Sequence, residues 1–357
     1  MPLANEAIIA AAGGGKTSRI VQMAISNSAE RCAMVTYTLN NTAETEQKFY
    51  QINGSVPAHV EVRSWYSFLL RELARPYQNF MSPNHIAGMF WSQGQSAPFA
   101  RKADVNRFYF GGGSYLYSDK VSQFVCECNK ASNGAVIRRL EQRYERIYID
   151  EMQDLAGYDL ELVELILKSK IGLTLVGDHR QGTIRTNNAA KNKAYWGFHI
   201  TEKLEQWKNA GLCSLRYEVE THRCNQSIAN LGDAFFPLEP KTISKNLKVS
   251  GHDGVFILPH SEVDKYVREY NPQVLRLDKK TECGTYEAMN FGESKGLTFD
   301  RVLIFPHKLG MKWLETGDFS HVQGSATKMY VGVTRARYSV AFVFDGATPV
   351  SGITLHK

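Results

Sequence analysis

The stretch from Ala7 to Ile25 constrains this chain more than any other. Six small apolar residues, Ala7-Ile8-Ile9-Ala10-Ala11-Ala12, run into Gly13-Gly14-Gly15-Lys16-Thr17, and a periodic segment follows. The order is strand, glycine loop, helix. Glycines let backbone N–H groups turn inward around a polyphosphate, and the next helix presents the positive end of its dipole; a lysine reaches the outer phosphates and a hydroxyl holds Mg²⁺. Gly13, Gly14 and Gly15 supply the cradle here, Lys16 the lysine and Thr17 the hydroxyl. Ala10 stands where the strict pattern has its first glycine, so a plain turn before an ordinary helix is the alternative that the rest of the chain has to decide.

Downstream segments decide it. A strand over Arg31 to Thr38 leads into an Asn/Thr cluster that suits the N-cap of a polar helix from Ala43 to Tyr50. A third strand, Val60 to Arg63, ends in Ser64-Trp65-Tyr66-Ser67-Phe68. Strands alternating with helices predict a parallel α/β sheet, whose ligands lie at the carboxyl ends of the strands. Aromatic residues at such ends, Tyr37 and Trp65, can stack on bases, although each taken alone also suits a core.

The strand Arg146 to Ile149 ends in Asp150-Glu151. Beside a phosphate loop, Asp150 can hold Mg²⁺ through water, and Glu151 can orient or deprotonate the water that attacks the γ-phosphate. A helix from Asp159 to Ser169 and an apolar strand from Gly172 follow, and after that strand Gln181 is placed to sense a γ-phosphate. Between Leu69 and Glu141 the periodicity loosens around Pro and Gly, which predicts an inserted subdomain with some helix, notably Lys120 to Lys130. The second half repeats the strand and helix alternation without a second phosphate loop, and a helix from Lys328 to Arg337 precedes its last long strand.

Composition sets the outer limits. The 357 residues suffice for about two domains, and 43% hydrophobic with 22% charged residues is globular. No apolar run approaches the ~20 residues of a membrane helix and no secretory pattern is present, so the expectation is a cytoplasmic protein with no membrane partner. The six cysteines are scattered apart from Cys126 and Cys128, which predicts reduced, packed thiols. A net charge of +6 permits a polyanionic partner without requiring one.

In their order, these stretches resemble the UvrD/Rep/PcrA-like superfamily 1 helicases. AAAGGGKT resembles that family's first motif, VTYT and SWYSF its DNA-contacting motifs, IDEMQD its Asp-Glu motif and VGDHRQ its γ-phosphate-sensing motif. ETHRCNQSI, ESKGLTFD and YVGVTRAR resemble the three motifs of its second lobe. The resemblance implies an α/β fold of two RecA-like parallel-sheet lobes with a small, mostly helical insertion in the first. The first lobe would be residues 1–68 and 141–205, the insertion 69–140 and the second lobe 206–357.

It also implies roles. Lys16 and Thr17 would bind the phosphates and Mg²⁺ of ATP, Asp150 and Glu151 metal and water, and Arg223 and Arg335 would be two arginine fingers. His222 occupies the position where the family stacks an aromatic on the base. Tyr37, Ser64, Trp65, Tyr66, Ser294 and Lys295 match positions that touch single-stranded DNA. Three departures stand out: Ile184-Arg185-Thr186 replaces the aromatic that usually follows Gln181, Thr298 stands where a ribose-binding glutamate is usual, and only about 70 residues separate Arg223 from Gly292, where the family carries a large insertion.

Two functions fit the resemblance. One is an ATP-driven translocase or helicase on single-stranded DNA, 3′ to 5′ by family direction, hydrolysing ATP between the lobes. The other is a regulatory NTPase that senses DNA ends or nucleotide state and controls a partner, for instance an OLD-like nuclease as in Gabija-like phage-defence pairs. A nucleic-acid-binding protein with a dead nucleotide site fits poorly, since Lys16, Asp150, Glu151, Gln181, Arg223 and Arg335 are all present.

Overall fold

A computed structural model describes residues 4–92, 94–187 and 189–356. Two compact units emerge, Met1–Ile9 with Lys16–Tyr217, and Ala10–Gly15 with Glu218–Lys357. The glycine loop thus packs with the second unit, although the strand before it and the helix after it belong to the first.

Six strands form the main sheet of the first unit: β1 (Glu6–Ala10), β2 (Cys32–Thr36), β3 (Val60–Ser64), β4 (Arg146–Ile149), β5 (Gly172–Gly177) and β6 (Ser214–Glu218). Their spatial order is β3-β2-β4-β5-β1-β6, and neighbours from β3 through β1 run parallel. Alternation along each central strand feeds two separate cores. Ile9, Val35, Ile147 and Ile149 face one cluster, while Ile8, Met34, Tyr148 and Val176 face the other. Strands buried on both faces read as apolar runs, and β2 and β5 are buried throughout.

The helix α1 (Lys16–Ser26) covers the second cluster with Ile20, Val21 and Ala24. Its neighbour α2 spans Leu39–Asn53, beginning four residues before the stretch expected from the sequence. The cause is Thr38, whose hydroxyl accepts the Asn41 N–H at 3.1 Å and so caps the helix early. The inserted segment contributes α3 (Val121–Ala131) and a second helix, Ala135–Arg143, but also a small sheet of Gly88–Phe90, Tyr115–Tyr117 and Phe110–Gly111. Its Leu73, Phe110, Leu116 and Phe124 share one core with β2 and β4.

Below the sheet, α4 (Tyr158–Leu167) is joined to α5 (Ile200–Asn209) through Glu164, which accepts from Lys203 Nζ at 2.9 Å and Trp207 Nε1 at 3.0 Å, and from Lys168 Nζ at 2.7 Å. Burial alone would raise this carboxyl, but the three donors outweigh it and hold the pKa at about 2. Because the folded pKa lies below the ordinary value, the stabilisation is complete above the usual glutamate range and fades as pH falls toward 2. Glu164→Gln is therefore expected to cost about 1–3 kcal/mol at pH 7, with the difference from wild type shrinking below pH ~4.5 in denaturant titrations.

The second unit has a six-stranded sheet of its own: β7 (Gly254–Leu258), β8 (Gln273–Arg276), β9 (Met289–Asn290), β10 (Phe299–Phe305), β11 (Ala336–Val343) and β12 (Ile353–Leu355), in spatial order β9-β8-β10-β11-β7-β12 and parallel throughout. The helix before β11 spans Ala326–Val333 and so stops short of Arg335, which falls in the two-residue turn before the strand. Among the described residues all six cysteines are free thiols, and no helix is long and apolar enough to cross a membrane. Burial pushes the Cys128 thiol up to about 12, which disfavours its thiolate.

Candidate nucleotide site and nucleic-acid interface

In the first unit, three strand ends bring the chemistry together. Lys16 and Thr17 open α1, and the Thr17 hydroxyl donates to Asp150 Oδ2 at 2.6 Å. Asp150 Oδ1 accepts the Glu151 N–H at 2.8 Å, a contact that requires the peptide to turn sharply after β4. Glu151 accordingly sits at φ 58°, ψ 42°, a left-handed conformation that a residue with a side chain adopts at a cost of roughly 1–3 kcal/mol. Burial, and next to it the charge of Glu151, push the Asp150 carboxyl up to about 6, while the Thr17 hydrogen bond and Lys16 pull the other way.

Mg²⁺ is a hard cation that keeps several waters and takes few protein oxygens. A threonine hydroxyl and a carboxylate 2.6 Å apart are a donor pair of that kind. They fit the ion better than a soft metal, and no cluster of three or more His, Cys, Asp or Glu suited to a metal occurs among the described residues.

Two residues that sequence reasoning passed over tie this strand end to the next. The Gln153 amide N–H donates to Glu151 Oε2, and its Oε1 accepts the Asp178 N–H at 3.1 Å. Asp178, fully buried after β5, accepts from Arg180 Nε at 3.2 Å and from Gln181 Nε2 at 2.9 Å. Burial opposes its charge, but Arg180, Lys16 and His179 together with the Gln181 hydrogen bond hold the carboxyl far below the usual carboxylate range. Gln181 is thereby held beside the Asp178 carboxyl, at a strand end where Lys16 also acts. Gln153 and Asp178 lie inside stretches already singled out, and both are buried polar residues next to strand ends.

The glycine loop is described within the second unit. Gly13 and Gly15 both adopt φ +74°, the left-handed region. The Thr221 hydroxyl donates to Ala12 O at 2.6 Å, the His222 N–H to Gly13 O at 3.0 Å, and the Tyr330 hydroxyl accepts the Ala12 N–H at 3.2 Å. Gly14 donates back to Ala11 O at 2.9 Å. Arg223 stands against Gly13, since a side-chain carbon there would come 2.5 Å from the Arg223 Cβ, and its guanidinium donates to Thr334 O at 3.2 Å. Arg335 is enclosed, with Nε on Val331 O at 3.0 Å and a terminal nitrogen on Leu297 O at 3.3 Å. His222 is exposed.

Of the residues matched to single-stranded DNA, the structure separates two groups. Trp65 is 1% exposed and donates its indole N–H to Asp159 at 3.2 Å; Ser294 is fully buried, its hydroxyl donating to Phe291 O at 2.7 Å. Both side chains are core in this structure. Tyr37, Ser64 and Lys295 are partly exposed. Tyr66 is buried but its ring meets Tyr37 at 5.9 Å and, edge to face at 5.1 Å, Trp91 of the inserted segment. Trp91 is 66% exposed. A small hollow bounded by Thr36, Tyr37, Trp65, Glu151, Asp154 and Thr186 adjoins both the aromatic residues and the Asp-Glu strand end.

Comparison with known proteins bears on one segment of the sequence and on the fold. Residues 74–195 match the family model described as the UvrD/REP helicase N-terminal domain. Among solved structures, the crystal structure of Arterivirus nonstructural protein 10 (helicase) is similar with a TM-score of 0.50 and 12% identity, over 95% of this chain and 59% of that one. The complex of that helicase with DNA is similar with a TM-score of 0.50 and 13% identity, over 95% of this chain and 60% of that one. This chain therefore spans about three-fifths of the helicase chains it resembles. No curated protein matches the sequence. Residues 74–195 thus resemble the UvrD/REP helicase N-terminal domain in sequence, and the chain resembles these helicases in α/β fold over nearly its whole length.

Proposed function

We propose that the chain is an ATP-dependent translocase or helicase acting on single-stranded DNA. The observation that carries this reading is the Thr17 to Asp150 hydrogen bond, which joins the residue after the phosphate-loop lysine to the Asp-Glu strand end. Lys16 would hold the β- and γ-phosphates, Thr17 and Asp150 would hold Mg²⁺, and Mg²⁺ when bound would neutralise charge on the transferred phosphoryl group. Glu151, turned out of the strand by its left-handed backbone, would orient the attacking water and take its proton. Gln181, fixed on the Asp178 carboxylate, is the proposed γ-phosphate sensor. Arg223, beside Gly13, is the proposed arginine finger, and Arg335 would act in that way only after leaving its present carbonyl partners.

For the nucleic acid, Tyr37 and the exposed Trp91 offer ring faces for bases, with Tyr66 between them. Trp91 belongs to the segment that matches the family model, and it provides an aromatic where Ile184-Arg185-Thr186 provides none. Trp91→Ala is expected to weaken binding of a labelled oligothymidylate by about 1–3 kcal/mol in fluorescence anisotropy. Its folding stability should stay within about 0.5 kcal/mol of wild type, because the ring is mostly in water.

The test of the function is ATP turnover by the purified chain with and without single-stranded DNA. Strong stimulation is expected of a motor, followed by strand displacement from a duplex with a single-stranded 3′ tail. The missing aromatic after Gln181 favours a second reading, an NTPase that regulates a partner nuclease. Turnover indifferent to DNA that rises only with a partner protein would replace the first reading by the second.

A further inference from the structure

Asp159, in the first turn of α4, is a buried carboxyl for which the chemistry above has no use. It is 2% exposed. Its Oδ1 accepts the Trp65 indole N–H at 3.2 Å and the Ser122 hydroxyl of α3, and its Oδ2 lies in hydrogen-bond contact with the Thr186 hydroxyl. Among the described residues no lysine, arginine or histidine pairs with it. Buried carboxylates are ordinarily paired with a cation, and one without such a partner is expected to neutralise instead.

The count of protons gives the form. The Thr186 hydroxyl has a second neighbour, the Asp154 carbonyl oxygen, at 2.9 Å. A hydroxyl carries one proton and a carbonyl oxygen none, so the threonine proton lies toward Asp154. The remaining contact, between Thr186 Oγ1 and Asp159 Oδ2, then needs a proton from Asp159. We infer that Asp159 is a neutral carboxylic acid donating to Thr186, and that in this form it is the positioning residue linking the Asp150–Glu151 loop to the aromatic ends of β2 and β3.

Burial works in the same direction. It raises the Asp159 carboxyl, and the hydrogen bonds donated by Ser122 and Trp65 only partly oppose it. The titratable neighbours, Tyr66 and Cys126, are themselves raised by burial and bring no positive charge.

The link is continuous in both directions. The Thr186 N–H also donates to Asp154 O at 3.1 Å, and the Asp154 N–H donates to Glu151 O at 3.0 Å. Toward the aromatics, Thr186 O accepts the Tyr66 hydroxyl at 2.8 Å, and Tyr66 meets Tyr37 and Trp91. Resting on the function proposed above, this predicts that a base stacked on the aromatic side is felt at Glu151 through Thr186 and Asp159.

Asparagine at 159 reproduces every bond of the neutral acid, since its N–H can donate to Thr186 while its oxygen accepts from Trp65 and Ser122. The experiment therefore compares Asp159→Asn, Asp159→Ala, Thr186→Ser and Thr186→Val in the full chain. Infrared difference spectra at pH 7 should show a protonated-carboxyl stretch in wild type that Asp159→Asn removes. Asp159→Asn and Thr186→Ser should keep wild-type stimulation of ATP turnover by oligothymidylate, whereas Asp159→Ala and Thr186→Val should lose roughly 2- to 30-fold of it with turnover in the absence of DNA retained. Absence of the carboxyl stretch, or an asparagine variant as impaired as alanine, would overturn the inference. Should wild-type turnover ignore DNA, the proposed function fails, and the infrared spectra still decide the form of Asp159.

Discussion

Glu151→Gln is expected to bind ATP as wild type does and to turn it over about 10²- to 10⁴-fold more slowly, the loss typical of a positioned general base. The substitution keeps the side-chain length and the left-handed backbone at φ 58° but removes the charge that can take a proton from water. It also removes the largest neighbouring charge acting on Asp150, so that carboxyl should ionise more readily and metal binding should not suffer. A fluorescent nucleotide titration alongside steady-state turnover separates the two effects. Normal turnover in this variant would remove Glu151 from the chemistry and leave its backbone conformation a matter of packing.

The largest effect on stability is expected at Gly182, just past Gln181. A Cβ there would stand 2.5 Å from the Gly197 Cα and 3.0 Å from its carbonyl carbon. Those atoms are backbone and cannot rotate away. Gly182 itself has φ −70°, so the conflict is one of space alone. Gly182→Ala should cost about 1–3 kcal/mol or more in denaturant titrations, the range for overpacking against a fixed neighbour. Since Gln181 precedes it in the same short turn, the surviving folded protein should also lose turnover. An unchanged unfolding midpoint would mean that the segment at Gly197 yields freely.

The order of strand ends was legible because phosphate and metal chemistry restricts residue type, so that Gly13 to Thr17, Asp150-Glu151 and Gln181 announce themselves locally. The parallel sheets followed from apolar runs alternating with amphipathic helices. The facing of single side chains was not legible. Trp65 at a strand end reads identically whether it points to solvent or into the core, and its partner Asp159 lies 94 residues away. Gln153 and Asp178 share a bond across 25 residues that no spacing rule marks. The helix α2 begins earlier than its sequence predicts because the capping hydroxyl is that of Thr38, ahead of the Asn/Thr cluster.

One consequence of the way the units divide concerns cooperativity. The backbone passes from one unit to the other after Ile9, again after Gly15 and once more after Tyr217. Domains joined by a single linker can melt one at a time, each with its own transition. Here, melting the second unit would release Ala10–Gly15, the segment that joins β1 to Lys16. Heat or denaturant should therefore free the glycine loop together with the fold of the second unit, even while the sheet of the first remains intact, so that proteolysis within Ala10–Gly15 reports on the second unit alone.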